Sequence, residues 1–439
     1  MPKTITLELS PKQAADDKFY IARAAERLGI RQSEIALARV VKRSIDARQR
    51  MAKVNLTLEV YIDQEPQPEP LHFDYPMVDT ATEVIVVGSG PAGLFASLRL
   101  IELGYKPILL ERGKSVLSRK HDIAQINRGG EINPNSNYAF GEGGAGTFSD
   151  GKLFTRSKKR GDYNKALQTL VWHGANPAIL YEAHPHIGTD KLPRIISNIC
   201  RTITDHGGKV LFESCVSGFV LKEGRIRGVK VGNDIIEGAA VVLATGHSAR
   251  DIYELLYSSG IAVEAKPFAM GVRIEHKQTT IDVAQYGRPN PVLPPADYKL
   301  VEHLDKETVY TFCMCPGGYV VAAASEEETV VTNGMSYHDR AGENANAALL
   351  VTVNPADFGS DDPLAGMHWQ RQIEEAAYRV GGDYRAPAQR VGDFLAGRPS
   401  EGPGEVKPTY RPGVVWCDLH GVLPEKITKA LKEALPKLE

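Results

Sequence analysis

The most specific functional motif in this chain consists of three glycines with the spacing G-x-G-x-x-G. Gly88, Gly90 and Gly93 directly follow the apolar run 84–87. The first glycine permits a tight turn, the second lets the backbone approach a pyrophosphate, and the third lets a helix pack closely on the strand. A helix that begins at Pro91 would direct its N-terminal N–H groups at the phosphates. The motif therefore predicts a phosphate-binding turn.

An acidic residue stands where a dinucleotide site needs one. Glu111 ends the second apolar run, PILLE, and its carboxylate can accept hydrogen bonds from the ribose hydroxyls of an adenosine. A carboxylate here disfavours NADP, because its 2′-phosphate is also negative. Strand, helix, strand and acid follow in the order of a dinucleotide-binding unit. The alternative is a glycine-rich turn that binds no ligand.

Three further segments favour FAD over NAD. Arg112 and Gly113 complete an E-R-G sequence, the loop GEGGAGTFSDGKL (141–153) can pass close to a ring system or a phosphate, and AAVVLATG (239–246) is typical of a strand that returns to the nucleotide. The alternative for the loop is a flexible surface segment. The predicted cofactor-binding residues are Gly88, Gly90, Pro91, Ala92, Gly93, Glu111, Arg112, Gly143, Gly144, Ala145, Gly146, Thr147, Val216, Ala244, Thr245 and Gly246.

The composition is that of an ordinary globular protein. The chain has 439 residues, is 42% hydrophobic and 24% charged, and carries a net charge of −2. That balance offers no field to attract nucleic acid. No apolar run approaches the roughly 20 residues that cross a bilayer, and the N-terminus lacks the apolar core of a signal peptide. Five cysteines in irregular spacing indicate no disulfide framework. We expect a cytoplasmic protein.

The patterning predicts an α/β protein with several units. ITLELS (5–10) and VNLTLEVYI (54–62) alternate like strands, and helices are expected up to Leu28 and again after Ser33. The Pro-rich segment 64–70 indicates a linker. The predicted units are a small N-terminal α/β module (1–70), a Rossmann-like FAD-binding domain (82–258), an inserted mixed or antiparallel second domain (259–405), and a return segment with a C-terminal helix (406–439).

Several segments resemble a known family. GSGPAG, NPNSNYAFGEGGAGTFSDGKL, PHIGTDKL, AMGVRIEH, FCMCPGGYVV and VVTNGMS are similar to those of bacterial FAD-dependent dehydrogenases or oxidoreductases. The resemblance runs from about Leu28 to the C-terminus. It implies FAD and a fold similar to glutathione-reductase-type two-domain flavoproteins, and it supplies no substrate.

The resemblance departs at the C-terminus. Members of that family continue beyond the segment that is DLHGVLPEKITKALKEALP (418–436) in this sequence. Their extra segment carries a glycine-rich block and a helix whose N-terminus approaches the flavin and the phosphates. This sequence ends at Glu439. The comparison therefore predicts a truncated return segment, with an incomplete flavin half of the site and an intact adenosine half.

Two cysteines are weak candidates for chemistry. Cys313 and Cys315 flank Met314 in FCMCPGG. Positions i and i+2 of a strand share a face, so both sulfurs are expected to lie near each other and a flavin. The alternative is two small buried residues before a turn. Two cysteines do not complete a metal site, and no metal is expected.

The remaining catalytic candidates are a pair of histidines and an arginine. His186, in EAHPHIGTD, and His247, after Ala-Thr-Gly, could donate protons or orient a substrate. Arg273, in GVRIEH, could bind an anionic substrate. The alternatives are a loop histidine for His186 and a structural ion pair for Arg273, with Glu275 or another acid.

The sequence therefore predicts an FAD-dependent oxidoreductase that moves a hydride between flavin and a small organic substrate or NAD(P)H. It contains no second G-x-G-x-x-G with a following acid or arginine, so NAD(P)H is expected to bind transiently. The alternatives are a non-catalytic nucleotide-binding module and an incomplete fragment of a flavoenzyme.

Overall fold

The computed structural model describes residues 2–49, 51–67, 71–155, 161–287 and 291–438. The strands are β1 (Lys3–Leu9), β2 (Ile35–Asp46), β3 (Lys53–Ile62), β4 (Glu83–Val87), β5 (Lys106–Leu110), β6 (Lys209–Leu211), β7 (Val216–Lys222), β8 (Arg225–Val231), β9 (Asp234–Glu237), β10 (Val241–Leu243), β11 (Phe268–Lys277), β12 (Val301–His303), β13 (Thr308–Cys315), β14 (Gly318–Ala322), β15 (Thr332–Ser336), β16 (Asn344–Val353), β17 (Ala386–Ala388) and β18 (Val414–Trp416).

The helices are α1 (Pro11–Ala14), α2 (Asp17–Leu28), α3 (Pro91–Glu102), α4 (Val116–Ile126), α5 (Tyr163–Trp172), α6 (Leu192–Asp205), α7 (Arg250–Ser258), α8 (Gln278–Tyr286), α9 (Ala365–Gly381), α10 (Val391–Ala396) and α11 (Glu425–Leu438). Within the described ranges, none of them is both long and apolar enough to cross a bilayer. The fold is mixed α/β, as predicted, and the expected C-terminal amphipathic helix is confirmed as α11.

A parallel sheet with the strand order β10-β4-β5-β6 positions the glycine motif. Both faces of β4 are covered, which explains its continuous apolar run VIVV at 84–87. Val86 faces α3 and α6, whose buried side chains include Leu98 and Ile199. Ile85, on the other face, packs against the antiparallel sheet β7-β8-β9. The predicted strand–helix–strand unit is confirmed, and the carboxyl end of β4 emerges beside that of β10.

The N-terminal module is an antiparallel sheet, β1-β3-β2, with α1 and α2 packed on one face. The strands predicted at 5–10 and 54–62 are confirmed, whereas the helix predicted after Ser33 is wrong, because this segment is β2. Register shifts at Ile35–Leu37 and Val40–Lys42 interrupt the alternation of β2. The apolar residues of this strand therefore do not alternate strictly with period two, and their spacing resembles that of a helix. The backbone of Arg43 also bonds to residues 181 and 183 of the main body.

The second domain is built around the antiparallel sheet β11-β16-β13-β12. Helix α11 covers one face of this sheet, where Ile427 and Leu431 pack with Val309 and Val351 in one apolar cluster. The hairpin β14-β15 and the parallel pair β17-β18 lie outside it. The edge strand β11 carries the G-V-R-I-E-H segment. The boundaries predicted between the domains stay predictions.

A buried arginine fixes the course of the glycine-rich loop. Arg119 of α4 is fully buried, and its guanidinium donates to the carbonyl oxygens of Asn137 (2.8 Å), Tyr138 (2.9 Å) and Glu142 (2.9 Å). Burial lowers the pKa of Arg119 to about 10, although the carboxylates of Glu111 and Glu142 raise it. Three backbone carbonyls thus depend on one cation, which orders the chain from 137 to 142.

Replacing Arg119 with methionine should destabilise the protein strongly. Each buried carbonyl that loses its donor costs about 1–3 kcal/mol, so Arg119→Met should reduce the free energy of unfolding by about 3 kcal/mol or more. Arg99→Met is the control, because the Arg99 side chain is 59% exposed. Thermal unfolding of both variants measures the difference, and equal midpoints would contradict the structural role of Arg119.

Candidate functional site

Two of the three motif glycines are required by the fold itself. Gly88 has φ +102°, and a Cβ atom on it would lie 2.5 Å from the carbonyl oxygen of Ala244. A Cβ atom on Gly93 would overlap the carbonyl oxygen of Gly88. These positions let β4 turn sharply into α3 and let β10 lie close beside the turn. Their steric roles are therefore those that the sequence predicts.

Gly90 differs from the other two, because the space in front of it is open. Its φ is −68°, which other residues also adopt. The nearest atom to a Cβ built there is the Cα of Gly144, at 4.0 Å. Gly90 also serves as the N-cap of α3, and no side chain caps that end. The positive end of a twelve-residue helix therefore faces open space, where an anionic group is favoured.

A cavity of about 620 Å³ lies in front of this turn, within the size range of small-molecule sites. Most of the predicted cofactor residues line it, namely Gly88, Gly90, Pro91, Ala92, Glu111, Arg112, Gly144, Ala145, Gly146, Val216, Ala244, Thr245 and Gly246. The carboxyl ends of β4, β5 and β10, the glycine-rich loop and the start of β7 thus converge on one site.

Three predicted cofactor residues lie behind this wall instead of on it. Gly93 packs against the turn, and Thr147 is fully buried with its hydroxyl donating to the carbonyl oxygen of Glu142 at 2.7 Å. A Cβ atom on Gly143 would overlap the Thr147 hydroxyl. Thr147, which was predicted to bind the cofactor, therefore uses its hydroxyl for a hydrogen bond within the loop. These residues support the cavity without facing it.

Helix α7 forms a wall of the cavity that the sequence did not predict. Asp251, Ile252 and Tyr253 line the cavity together with Phe140. The guanidinium of Arg112 lies 4.3 Å from the Phe140 ring centroid and donates to Asp251 at 3.0 Å. The segment RDIYELLYS begins shortly after Ala-Thr-Gly. A helix predicted at this position would have indicated that it lies beside the cavity. Arg112 therefore joins the end of β5 to α7.

Glu111 holds three segments together. Its Oε2 accepts hydrogen bonds from the N–H and the hydroxyl of Ser89, at 2.9 and 2.8 Å, and its Oε1 accepts from the N–H groups of Gly113 and Gly141, both at 2.9 Å. A carboxylate offers about four acceptor positions, so all of them are in use. A ribose hydroxyl would have to share or replace one of these bonds. The ribose role stays a prediction, and the geometry adds a structural role.

The two candidate cysteines do not share a face. The register of β13 against β16 shifts between Phe312 and Cys315, and Cys313 adopts a positive φ of +48°. This bulge leaves Cys313 exposed and Cys315 buried. The expectation from regular i, i+2 alternation is therefore wrong, because a bulge adds a residue and changes the direction of the side chains.

The two candidate histidines lie at different places. His247 lines the cavity, and its Nδ1 lies 2.9 Å from the hydroxyl oxygen of Ser248. His186 lies outside the cavity lining, where its Nε2 is 3.0 Å from the carbonyl oxygen of His338 and the two imidazoles stack at 5.3 Å. Burial lowers the pKa of His186, and Arg340 lowers it further. His186 is therefore neutral at neutral pH.

Arg273 is not part of an ion pair with Glu275. Its Nε donates to Asn346 Oδ1 at 2.7 Å, and its Nη2 donates to the carbonyl oxygen of Cys313 at 3.0 Å. Glu275 instead accepts from the N–H and hydroxyl of Thr409. In the part of the chain that the structure describes, Arg273 pairs with no carboxylate. The alternative of a structural ion pair is therefore wrong there.

Comparison with known proteins gives two family matches and one related protein. Residues 267–439 match the family described as FAD-dependent protein, C-terminal domain-like, and residues 1–61 match a domain of unknown function, DUF8436. An uncharacterized protein of Clostridium beijerinckii is 43% identical over 431 residues, which span 93% of this chain and 81% of that protein. The relative is thus similar over almost the whole chain.

The similarity to solved structures is weak. CtdE in complex with FAD is 16% identical, over 63% of this chain and 60% of that chain, with a TM-score of 0.28. Thermovibrio ammonificans THI4 is 22% identical, over 42% of this chain and 66% of that chain, with a TM-score of 0.28. Proteus vulgaris L-amino acid deaminase is 12% identical, over 46% and 62%, with a TM-score of 0.29. TM-scores this low assign no function to this chain.

Gly90→Val should abolish dinucleotide binding while the protein stays folded. Valine can adopt the φ of −68° at this position, and its side chain would occupy the open space in front of the turn. Calorimetric titration with FAD measures the loss. Gly93→Ala is the matched comparison, since its Cβ atom would overlap backbone and should lower the unfolding temperature as well. Stoichiometric FAD binding by folded Gly90→Val would contradict the site assignment.

Glu111→Gln should lower stability even without nucleotide. An amide nitrogen would face N–H donors that now meet a carboxylate oxygen, and each unpaired buried group costs about 1–3 kcal/mol. Glu237→Gln is the control, because that side chain is 61% exposed. Unfolding temperatures measured with and without FAD separate the two roles. Unchanged stability combined with weaker FAD binding would favour a ribose contact over the structural role.

Proposed function

Because this chain belongs to the same family as the Clostridium beijerinckii protein and ends in a domain of the FAD-dependent protein type, we propose that it is an FAD-dependent oxidoreductase acting on a small organic substrate. The observation that supports this function best is the cavity of about 620 Å³ at the β4–α3 turn. Its wall combines the open face of Gly90 with an uncapped helix N-terminus. FAD is the cofactor that we assign to it.

The donors of this cavity suit the pyrophosphate of a dinucleotide. Backbone at Gly88 and Gly90 and the first turn of α3 would hold the phosphates, because no side chain occupies that space or caps the helix. Gly144, Ala145 and Gly146 form a second backbone wall opposite Pro91. The adenosine would extend toward the ends of β5 and β7, where Glu111, Arg112 and Val216 line the cavity.

The protein residues would position the cofactor and the substrate. Bound FAD supplies the acceptance and return of a hydride. The loop 141–153 begins at the Glu111 carboxylate, passes along the cavity wall at 144–146, and reaches Lys152 in a second polar region. One ordered loop therefore connects nucleotide binding to the groups that would meet a substrate. His247 also lies on the wall of the first cavity.

The reductant that we propose is NAD(P)H or the organic substrate itself. The sequence holds no second dinucleotide motif, so a nicotinamide would bind only transiently. A dithiol mechanism is disfavoured, because the bulge leaves Cys313 exposed and Cys315 buried. The chemistry would therefore pass directly between the substrate and FAD.

The purified chain, as isolated or after incubation with FAD, should show the visible absorption of an oxidised flavin. Heat release and chromatography should identify the flavin as FAD, and anaerobic addition of NADH, NADPH or a substrate should bleach it. Gly90→Val serves as the folded control without flavin. A colourless wild-type chain that binds ADP and takes up no FAD would indicate a nucleotide-binding module instead. Flavin that no donor reduces would also contradict the oxidoreductase.

A further inference from the structure

A second polar site lies where the glycine-rich loop meets the sheet of the second domain. Two cations approach the same buried sulfur atom there. Lys152 Nζ and Arg273 Nη2 each lie 3.5 Å from Cys315 Sγ. Lys152 comes from the loop, Arg273 from β11 and Cys315 from the end of β13. Segments that are distant in the sequence are thus brought to one point.

The positive charges around this sulfur exceed the negative ones. Asp150 is buried and pairs with both Lys152, at 3.3 Å, and Arg340, at 2.8 Å. Although burial raises the pKa of Asp150, Lys152 and Arg340 lower it on balance. One carboxylate therefore serves two cations, while Arg273 has no carboxylate partner in the described ranges. The charge of Arg273 is therefore not balanced by a carboxylate within the described residues.

The nearby acids are engaged with other groups. Asp190 accepts a hydrogen bond from the N–H of His338 at 2.8 Å. Asp297 lies 3.7 Å from His184. Glu275 accepts hydrogen bonds from Thr409 and from Asn344. None of these three carboxylates contacts Lys152 or Arg273 within the described residues, so the protein itself leaves the charge unbalanced.

A buried amide adds a free donor at the same place. Asn346 on β16 is fully buried, and its Oδ1 accepts from Arg273 Nε at 2.7 Å. Its Nδ2 finds no hydrogen-bond partner among the described residues. The bond to Arg273 fixes the amide orientation, because a flipped amide would place two donors face to face. A buried N–H group without an acceptor is destabilising, and a ligand oxygen would relieve this.

The thiol of Cys315 does not supply the missing negative charge. Burial raises its pKa, and although Lys152 and Arg273 lower it, the balance stays above the ordinary value. Its Sγ also donates to the carbonyl oxygen of Cys313 at 3.3 Å, as a protonated thiol does. Burial lowers the pKa of Lys152, but Cys315 and Asp150 raise it on balance, so the amine stays charged. The two cations thus face a neutral sulfur.

We propose that Lys152, Arg273 and Asn346 bind the carboxylate of a small organic acid beside Cys315. This inference rests on the proposed function, since it names the substrate class of that enzyme. Every free polar group at the site is a donor, and the planar guanidinium suits a carboxylate. A neutral substrate would leave the charge of Arg273 unbalanced in a partly buried position, which is costly.

Arg273 also lines a second cavity of about 620 Å³, which follows the edge strand β11 and is walled mainly by apolar side chains such as Val320, Val330 and Phe394. Lys152, Cys315 and Asn346 are not part of its lining, so Arg273 is the residue that would join the carboxylate site to this space. Gly334 is needed beside it, because a Cβ atom there would overlap the Arg273 guanidinium and Asn346 Oδ1. The site therefore suits an acid with an apolar body.

The full chain is first incubated with FAD and is then titrated calorimetrically with benzoate or with benzamide. Benzamide has the same shape as benzoate and carries no charge. Benzoate should bind in a saturable manner, and benzamide at least tenfold more weakly. Arg273→Met and Lys152→Met should each weaken benzoate binding at least tenfold. Arg371→Met is the matched control, because that arginine pairs with Glu375 on the exposed side of α9, and it should bind benzoate like the wild type.

Several outcomes would overturn the site. These are no saturable benzoate binding by the wild type, equal binding by all three variants, and phosphate binding as tightly as benzoate at equal ionic strength. Thiolate absorbance at neutral pH that disappears in Cys315→Ser would also overturn it, because the protein would then supply its own anion. The flavin spectrum of the same sample reports the proposed function separately. Bound FAD without benzoate binding refutes only this inference, and benzoate binding without FAD refutes only the proposed function.

Discussion

Three backbone segments meet at the carboxylate of Glu111, and the shape of the cavity at the β4–α3 turn depends on that meeting. The bonds join the β4 turn, the end of β5 and the glycine-rich loop through Ser89, Gly113 and Gly141. Arg119 stabilises the same loop, because its guanidinium donates hydrogen bonds to the carbonyl groups of Tyr138, before Gly141, and of Glu142, after it. Buried charges are costly unless they are fully hydrogen-bonded, and here each one is used to order backbone. The cavity wall can therefore consist of glycine and still have a defined course.

That ordered loop also connects the two parts of the candidate site. Its first half lines the cavity at the β4–α3 turn at 144–146, and its second half places Asp150 and Lys152 near Cys315 at the end of β13. Arg340, on the segment after β15, reaches back to the Asp150 carboxylate. A buried ion pair thus joins the end of this loop to the segment that follows β15.

Some expectations failed for one shared reason. Both the helix expected after Ser33 and the shared face expected for Cys313 and Cys315 assume that a regular element keeps its period, which is about 3.6 residues in a helix and two in a strand. Bulges occur in β2 and in β13. Each added residue shifts the alternation, so the apolar spacing of β2 resembles a helix and the two cysteines differ in exposure. No local pattern in the sequence predicts such a bulge, because the partner strand decides where it is accommodated.

The sequence by itself determined the β4–α3–β5 unit, the position of its three glycines, and about half of the residues on the cavity wall. These features follow from local rules, since strand, turn and helix N-terminus are adjacent along the chain. Only the tertiary structure decided that α7 completes the wall, that Glu111 is saturated by backbone donors, and that Lys152, Arg273, Asn346 and Cys315 converge. Those features require contacts between residues more than a hundred positions apart in several cases, and the burial and charge balance that give them meaning exist only after the chain has folded.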